Sequence, residues 1–184
     1  MYEGGVRVVS LVSSPLVTAP GSVYPGMVHV TDWFSSILHL AGLGDQIPGD
    51  TSSVNVFPAI IAMSPSPRSR IIHNIDEDKG KGSWQAVVRD GDFKLIWGQA
   101  KLLDKKRRKR RFAVNQKTSL KLFNIAEDPN ERHELSQAEY ADVIKRLKGI
   151  LLEEYKITKF PSYHTNIARA FPKNNSGYFV TGWC

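Results

Sequence analysis

Few residues of this sequence are of a type and spacing that could carry out chemistry. The five histidines are scattered without a metal-ligand spacing such as His-x-x-x-His; they are His29, His39, His73, His133 and His164. The adjacent acids Asp76-Glu77-Asp78 precede Lys79-Gly80-Lys81-Gly82, a composition typical of a solvated turn. No glycine-rich phosphate loop, nucleophile elbow or Ser/His/Asp arrangement stands out. The residues alone therefore name no catalytic, cofactor-binding or metal-binding residue.

The cysteine content and one glycosylation motif bear on the compartment. Cys184 has no second cysteine with which to form an internal disulfide or a zinc site. Asn174-Asn175-Ser176 fits the acceptor pattern Asn-x-Ser, so Asn174 is the candidate glycosylation site. Use of this acceptor would place the protein in the secretory pathway.

A run of seven consecutive cations carries the whole formal net charge of +7; its members are Lys105, Lys106, Arg107, Arg108, Lys109, Arg110 and Arg111. Like charges repel and are costly to bury unpaired, so the run favours a solvated loop. Contact with polyanions such as sulfated glycans or nucleic acid, a nuclear address and proprotein cleavage are the alternatives. No aromatic residues alternate with the cations, so sequence-specific nucleic-acid binding is not predicted.

The composition is that of a folded chain. With 184 residues and 41% hydrophobic residues, it can bury one sizeable core, or one core and part of another. No apolar run approaches the ~20 residues that a membrane span requires, and the start lacks the charged and then apolar pattern of a secretory leader. No membrane partner is expected.

Residues 1–61 resemble one edge of an α/β layer. The apolar run Val6–Val12 predicts a strand, and the segment from Thr31 predicts a helix that Thr31 caps. Its predicted apolar stripe comprises Trp33, Ile37, Leu40 and Ala41. One strand cannot build a domain, so this region is expected to be the incomplete tail of a larger α/β domain.

Residues 62–160 predict a compact α+β unit. Arg70–Ile75 is one expected strand, Trp84–Trp97 a hairpin turning at Asp90-Gly91, and Leu120–Ile125 another strand. The hairpin turn sets Val88 opposite Phe93, Ala86 opposite Leu95, Trp84 opposite Trp97, Val87 opposite Lys94 and Gln85 opposite Ile96. One face is then wholly apolar and the other is mixed, and the apolar face requires a covering helix.

The pattern Ser136-Gln137-Ala138-Glu139 predicts a capping box that begins this helix. Its apolar stripe would comprise Tyr140, Val143, Ile144, Leu147, Leu151 and Tyr155. Asp128-Pro129-Asn130 predicts a turn before it. Residues 161–184 are polar and rich in Gly and Asn, and we expect an irregular tail there.

Several short stretches, in order along the chain, resemble the sulfatase family, and most closely its arylsulfatase B-like branch. They are Tyr2-Glu3-Gly4-Gly5-Val6-Arg7, Ser64-Pro65-Ser66-Pro67-Arg68, Ile72-His73-Asn74-Ile75-Asp76, Gly91-Asp92-Phe93-Lys94-Leu95, Leu122-Phe123-Asn124-Ile125 and the Asp128–Leu135 segment. The resemblance implies an α/β fold class: the C-terminal edge of an alkaline-phosphatase-like sulfatase domain, followed by a small α+β subdomain. Gly4 and Gly5 would allow close backbone approach, and Glu131 and Arg132 would tie a turn to the sheet.

The resemblance also implies an activity. Sulfatases hydrolyse sulfuric esters with a formylglycine and a divalent cation, usually calcium, which combine covalent and Lewis-acid catalysis. No catalytic or metal-binding residue of the family can be carried onto this sequence, so the chain alone is predicted to be inactive. Its full-length relatives would act on a sulfated small molecule or glycan in lysosomes or outside the cell. An inactive protein that binds sulfated glycans through residues 105–111, and a nucleic-acid or nuclear adaptor, are the alternatives.

Overall fold

The computed structural model describes residues 1–78, 83–98, 119–158 and 176–178. Helices in this part of the chain are α1 (Glu3–Val6), α2 (Asp32–Leu40), α3 (Phe57–Ala62) and α4 (Ala141–Ile157), with a short 3-10 helix at Gly44–Gln46. The strands are β1 (Arg70–Asp78), β2 (Ser83–Asp90), β3 (Phe93–Gly98) and β4 (Leu120–Asn124). They form one antiparallel sheet in the order β1-β2-β3-β4. The expected antiparallel sheet is thus confirmed.

The main core lies between one face of this sheet and α4. Its buried members are Ala86, Val88, Leu95, Leu122, Ile144, Leu147 and Leu151. Partly buried Tyr140 and Val143 pack against them from the start of the helix. The predicted helix stripe and the predicted apolar sheet face therefore meet, which confirms the small α+β subdomain as a sheet covered by one helix.

The β2–β3 hairpin differs from the predicted one in its turn but not in its faces. The predicted turn at Asp90-Gly91 is wrong: Asp90 pairs with Phe93, so that Gly91 and Asp92 form the turn. Gly91 has a φ of 59°, which suits the first central position of a type II′ turn. Every predicted cross-strand pair is consequently offset by two residues. Because side chains alternate with a period of two, this offset leaves them on their predicted faces.

Strand β1 contains a β-bulge. Its register with β2 shifts between Ile72 and Asn74, which leaves His73 as an extra residue. The bulge allows Ile72 and Ile75 to pack against the same α4-side core despite their odd spacing. The strand extends to Asp78, so the turn expected at Asp76-Glu77-Asp78 is wrong; pairing with β2 continues through these acids.

The last strand begins where predicted. Gly98, at the end of β3, donates its N–H to the carbonyl oxygen of Ser119 at 2.8 Å, and the Ser119 hydroxyl donates back to the carbonyl of Gly98. These two bonds join the end of β3 to the residue before β4.

The predicted turn at Asp128-Pro129-Asn130 is confirmed, with the N–H of Glu131 donating to the carbonyl of Asp128 at 3.1 Å.

The predicted capping box of α4 is wrong. The helix begins at Ala141, and its preceding residue makes no side-chain cap. The segment before it is held on β4 instead: Leu135 donates its N–H to Leu122, and the Gln137 amide donates to the carbonyl of Leu120 at 2.9 Å. These bonds fix the segment on β4 before the helix begins.

The predicted strand Val6–Val12 is also wrong. Glu3–Val6 is a short helix, and the residues after it pair with no strand in the part of the chain that the structure describes. Val8, Val9 and Leu11 are exposed by 83%, 98% and 86%. An apolar run becomes a strand only when a partner supplies the ladder bonds, and none of the four strands does so here.

Helix α2 begins where predicted, but its orientation was not foreseen. Thr31 makes no cap; its hydroxyl lies 2.8 Å from the His29 Nδ1 atom. The expected apolar stripe is largely exposed, with Ile37 at 58% and Leu40 at 50%. The side that faces inward is polar: Asp32, Ser35 and Ser36 are buried.

Other predicted features fall outside the described residues. They include the basic run 105–111, the acceptor Asn174, His164 and most of the tail 161–184. No helix that the structure describes is both long and apolar enough to cross a membrane.

Candidate functional site

The face of the sheet opposite α4 carries a fully buried lysine. Lys94, in β3, is 0% exposed, and its Nζ atom lies 2.8 Å from Glu3 Oε1 and 2.8 Å from Glu131 Oε1. Both carboxylate residues are themselves buried, at 5% and 8% exposure. Lysine is almost never fully buried unless it is paired, and here it has two partners.

The first residues of the chain position Glu3 beside this lysine. Met1 and Tyr2 pack on the apolar residues around Lys94, which are Val87, Ile96, Phe123 and Ile125. The Tyr2 ring meets the Phe123 ring edge-on, with 6.1 Å between centroids. The N–H of Glu3 donates to Glu131 Oε2, so the helix α1 is joined to Glu131 directly as well as through Lys94.

The turn after β4 positions Glu131 beside Lys94. Its φ of 53° lies in the left-handed region, which non-glycine residues rarely adopt. This backbone directly follows the Asp128–Asn130 turn and places the carboxylate beneath the sheet, where it pairs with Lys94. By contrast, Arg132 is exposed, so its expected role in tying the turn to the sheet is wrong.

Arg89 and His73 complete the cluster. Arg89 Nη1 lies 3.9 Å from Glu3 Oε2, so two carboxylates face two cations and the four formal charges balance. Burial, and then the charge of Lys94, lower the pKa of His73 to about 4, so its imidazole is neutral near pH 7. Its buried Nε2 atom has no hydrogen-bond partner among the described residues.

A second buried ion pair fastens α2 to the start of β1. Arg68 donates from both Nε and Nη2 to the two carboxylate oxygens of Asp32, a bidentate geometry. Asp32, fully buried, also accepts the N–H groups of His29 at 2.8 Å and Val54 at 3.0 Å. Burial disfavours the carboxylate, but the bonds from Arg68 and the two amides outweigh it and hold the pKa of Asp32 below its usual value.

These contacts gather stretches that are far apart in sequence. Glu3, Lys94 and Glu131 come from three of the stretches that carry the family resemblance, and they meet in one ion cluster. Arg68 and His73 come from two others, and His73 lies near Lys94 and Glu3. Four of the stretches that carry the resemblance therefore meet at or beside Lys94.

The chain is similar to a known protein along nearly its whole length. Arylsulfatase J of Mus musculus is 31% identical over 204 aligned residues, which cover 96% of this chain and 34% of that relative. The chain belongs to the sulfatase family. It corresponds to a C-terminal part of a sulfatase and spans about a third of the length of the curated relative that it matches. With the observed sheet and covering helix, the expected fold class is confirmed.

No protein-family model matches the chain. Among solved structures, BT4656 in complex with its substrate D-glucosamine-2-N,6-O-disulfate is 20% identical, with a TM-score of 0.46 over 68% of this chain and 23% of that one. A protein designated BT33494S-sulf, from a Bacteroides thetaiotaomicron locus for metabolism of multiple glycosaminoglycans, is 23% identical. Its TM-score is 0.40 over 67% of this chain and 26% of that one.

The cluster of this sulfatase chain is built to hold elements together. Both carboxylates bind Lys94, so neither is free to act as a general base or a cation ligand. The residues 1–78, 83–98, 119–158 and 176–178 contain no group of three or more His, Cys, Asp or Glu side chains that could hold a metal ion. They therefore do not fit the cation that the family implies.

Sequence reasoning did not find the cluster. The sequence did contain one signal, because Lys94 is a cation inside an apolar strand and lies on the face predicted to be mixed. A second signal was a glutamate in each of two stretches that carry the family resemblance. Gly4 and Gly5 do not serve the expected close approach among the described residues, because a Cβ atom at either would meet nothing within 4 Å.

Proposed function

We propose that this chain is the C-terminal part of a sulfuric ester hydrolase of the arylsulfatase type. The observation that carries the proposal is the 31% identity to mouse Arylsulfatase J across 96% of the chain. The ion cluster supports it, because it joins the charged residues of three family stretches in one place. The substrate class would be a sulfated small molecule or a sulfated glycan.

The role of this part is architectural. Lys94 and Glu131 fix the Tyr2-Glu3-Gly4-Gly5 segment on the sheet, and Arg68 fixes α2. The formylglycine and the cation, which we expect to be calcium, supply the covalent and Lewis-acid chemistry in the family. The groups that hold them are expected in the portion of a family polypeptide that this chain does not match.

The location we propose is the lysosome or the cell exterior, with Asn174 glycosylated. This rests on the resemblance to arylsulfatases and on the acceptor pattern at Asn174. Treating the protein, expressed with a secretory leader in cultured animal cells, with an N-glycosidase should lower its apparent mass. The variant Asn174→Gln should show the lower mass without treatment, and an unchanged mass in both would contradict the proposal.

An assay of aryl sulfate hydrolysis tests the assignment of roles. The purified 184-residue chain should release no sulfate above the uncatalysed background, with or without calcium. Joining it to the unmatched portion of Arylsulfatase J should give calcium-dependent turnover. Turnover by the purified chain itself, free of contaminating sulfatase, would contradict the placement of every catalytic group outside it.

Binding of sulfated glycans through residues 105–111 is a second proposed function. The observation that favours it is the seven consecutive cations in a chain that is otherwise neutral. It does not require catalysis, so it could belong to an active or an inactive sulfatase.

A further inference from the structure

A groove of about 630 Å³ lies between α4 and the start of β4 and is open to solvent. Most of its lining is apolar, and the apolar members are Leu120, Ala141, Ile144, Gly149 and Leu152. A concave, mostly apolar site of this size with a few polar groups is the usual form of a small-molecule site. This α4 groove lies on the helix side of the sheet, so it is separate from the ion cluster on the opposite face.

The floor of the α4 groove includes a glycine in the interior of the helix. Gly149 lies within Ala141–Ile157 and is exposed, although glycine is less favourable than alanine inside a helix. Packing among the described residues does not require it, because a Cβ atom at Gly149 would meet nothing within 4 Å. The missing side chain instead leaves space in the groove beside Leu152, where a ring can lie.

Two lysines give the α4 groove its charge. Lys145 is exposed, and Lys148 Nζ lies 5.1 Å from the centroid of the Trp97 ring, a cation–π contact that holds this side chain beside β3. Because they are three residues apart on α4, their side chains are neighbours on the helix surface. Neither has an ion-pair partner among the described residues, and none of the described residues that line the groove is acidic. The groove therefore combines apolar walls with two uncompensated cations.

We infer that the α4 groove is an accessory binding site for an aromatic ring that carries a sulfate or sulfonate group. The ring packs on Ile144 and Leu152 above Gly149, and the anion accepts hydrogen bonds from the two lysines. Lysine is a mobile point charge, whereas the planar fork of arginine matches a planar carboxylate. Two lysines thus favour a non-planar anion whose terminal oxygens they can share. Binding here needs neither the formylglycine nor the cation, and only the choice of sulfate over phosphate rests on the proposed function.

Fluorescence of anilinonaphthalene sulfonate, an aromatic sulfonate that cannot be hydrolysed as an ester, tests the inference on the purified 184-residue chain. Emission should rise to saturation, naphthyl sulfate should displace the probe, and added salt should weaken its binding. Lys145→Glu should raise the Kd of the probe by roughly tenfold, because repulsion replaces attraction. Gly149→Leu should raise it by roughly tenfold or more, because the new side chain occupies the groove.

Three control variants keep the measurement specific to the groove. Gly149→Ala leaves most of the space open, so it should bind the probe like the wild type while raising the thermal midpoint by roughly 2–4 °C. Lys156→Glu makes the same charge change on α4 outside the groove. Ile37→Asp alters the exposed apolar side of α2, another surface on which an apolar dye could settle. Both should bind the probe like the wild type.

Circular dichroism and thermal unfolding separate loss of binding from loss of folding. Lys145 and Gly149 are exposed, so Lys145→Glu and Gly149→Leu should keep the wild-type spectrum and unfold no earlier than the wild type. Absence of saturable binding, equal binding by every variant, or loss of binding in Ile37→Asp would overturn the inference. Equal displacement by uncharged N-phenylnaphthylamine would reduce the groove to an apolar surface and overturn it too. Stronger displacement by naphthoate or naphthyl phosphate than by naphthyl sulfate would overturn the assignment of the anion.

Hydrolysis by the chain joined to the unmatched portion of Arylsulfatase J is a separate measurement. Hydrolysis without saturable probe binding would support the proposed function and overturn the accessory site. Binding of naphthyl sulfate that depends on Lys145 and Gly149, without hydrolysis in the joined protein, would support the accessory site and count against the proposed function.

Discussion

Helices α2 and α4 have the same kind of sequence pattern, but only α4 buries its apolar side. Both present apolar residues at helical spacing, yet α4 buries Leu147 and Leu151 against the sheet while α2 leaves Ile37 and Leu40 in solvent. The difference lies in the partners: α4 has an apolar sheet face of matching size, and α2 is instead attached by a buried ion pair to Arg68. A periodic pattern shows which side of a helix is apolar, and the rest of the fold decides whether that side is covered.

The two regions are therefore held by different forces. The sheet and α4 are stabilised by apolar burial, which needs no specific geometry between two atoms. Helix α2 and Glu3 are attached through charged side chains at defined distances, and such an attachment fails when one partner is removed. The following changes test this contrast, beginning with the one that should have the largest effect.

Removal of Lys94 should be the most damaging single change. Lys94→Met leaves the buried carboxylates of Glu3 and Glu131 without their shared cation, which should lower the free energy of unfolding by about 3–5 kcal/mol. Urea unfolding followed by circular dichroism measures this, with Lys145→Met on the exposed side of α4 as the control. Further replacement of both glutamates by Gln should restore much of the stability. A triple variant no more stable than Lys94→Met would contradict an electrostatic cause.

The two helices can be compared by matched truncations. Leu147→Ala should cost about 2–5 kcal/mol, because it opens a cavity in the core under α4. Ile37→Ala should change the free energy of unfolding by no more than about 0.5 kcal/mol, because Ile37 is 58% exposed. Similar costs at both positions would show that α2 packs inward through its apolar side after all.

Much of this contrast could have been predicted, and part of it could not. Period-two alternation in Ala86, Val88 and Leu95 and the stripe around Leu147 predicted the sheet face and its helix, because both depend on local pattern. The ion cluster depends on Glu3, Lys94 and Glu131 meeting across distances in sequence that no local pattern encodes. The failed strand at Val6–Val12 has the same origin, because strand formation requires a partner.

The lowered pKa of His73 should make the free energy of unfolding depend on pH. Its folded pKa of about 4 lies below the ordinary 6.5, so from about pH 6.5 down to about 4 the unfolded chain takes up a proton that the folded chain refuses. The His73 contribution to stability should fall over that interval and level off below it. Lys94, Glu3, His29 and Arg89 are the titratable groups near His73 and are unchanged in the variant.

The variant His73→Gln should lose this component, so the difference between its unfolding midpoint and that of the wild type should vary with pH. His133→Gln is the control, because the His133 side chain is 85% exposed. A difference that stays constant from pH 7 to pH 4 would show that His73 titrates normally in the folded chain.

The basic run should have the smallest effect on folding. Replacement of all seven cations at 105–111 by Ser should leave the thermal midpoint nearly unchanged, because consecutive like charges repel and are costly to bury, so the sequence does not predict that they support the fold. It should abolish retention on heparin at low salt, which salt would also weaken by screening. A large fall in the thermal midpoint would mean that the run is structural, in which case the glycan-binding proposal loses its basis.

The hydrogen bonds that join the end of β3 to the residue before β4 affect which changes of sequence the fold tolerates. The two hydrogen bonds between Gly98 and Ser119 fix the ends of the intervening connection on adjacent strands, whatever lies between them. The entropy of closing such a connection grows only with the logarithm of its length. A change in the number of residues between them therefore adds little to the entropic cost of folding, so a lineage can lengthen or shorten this connection while the sheet, α4 and the buried lysine stay as they are.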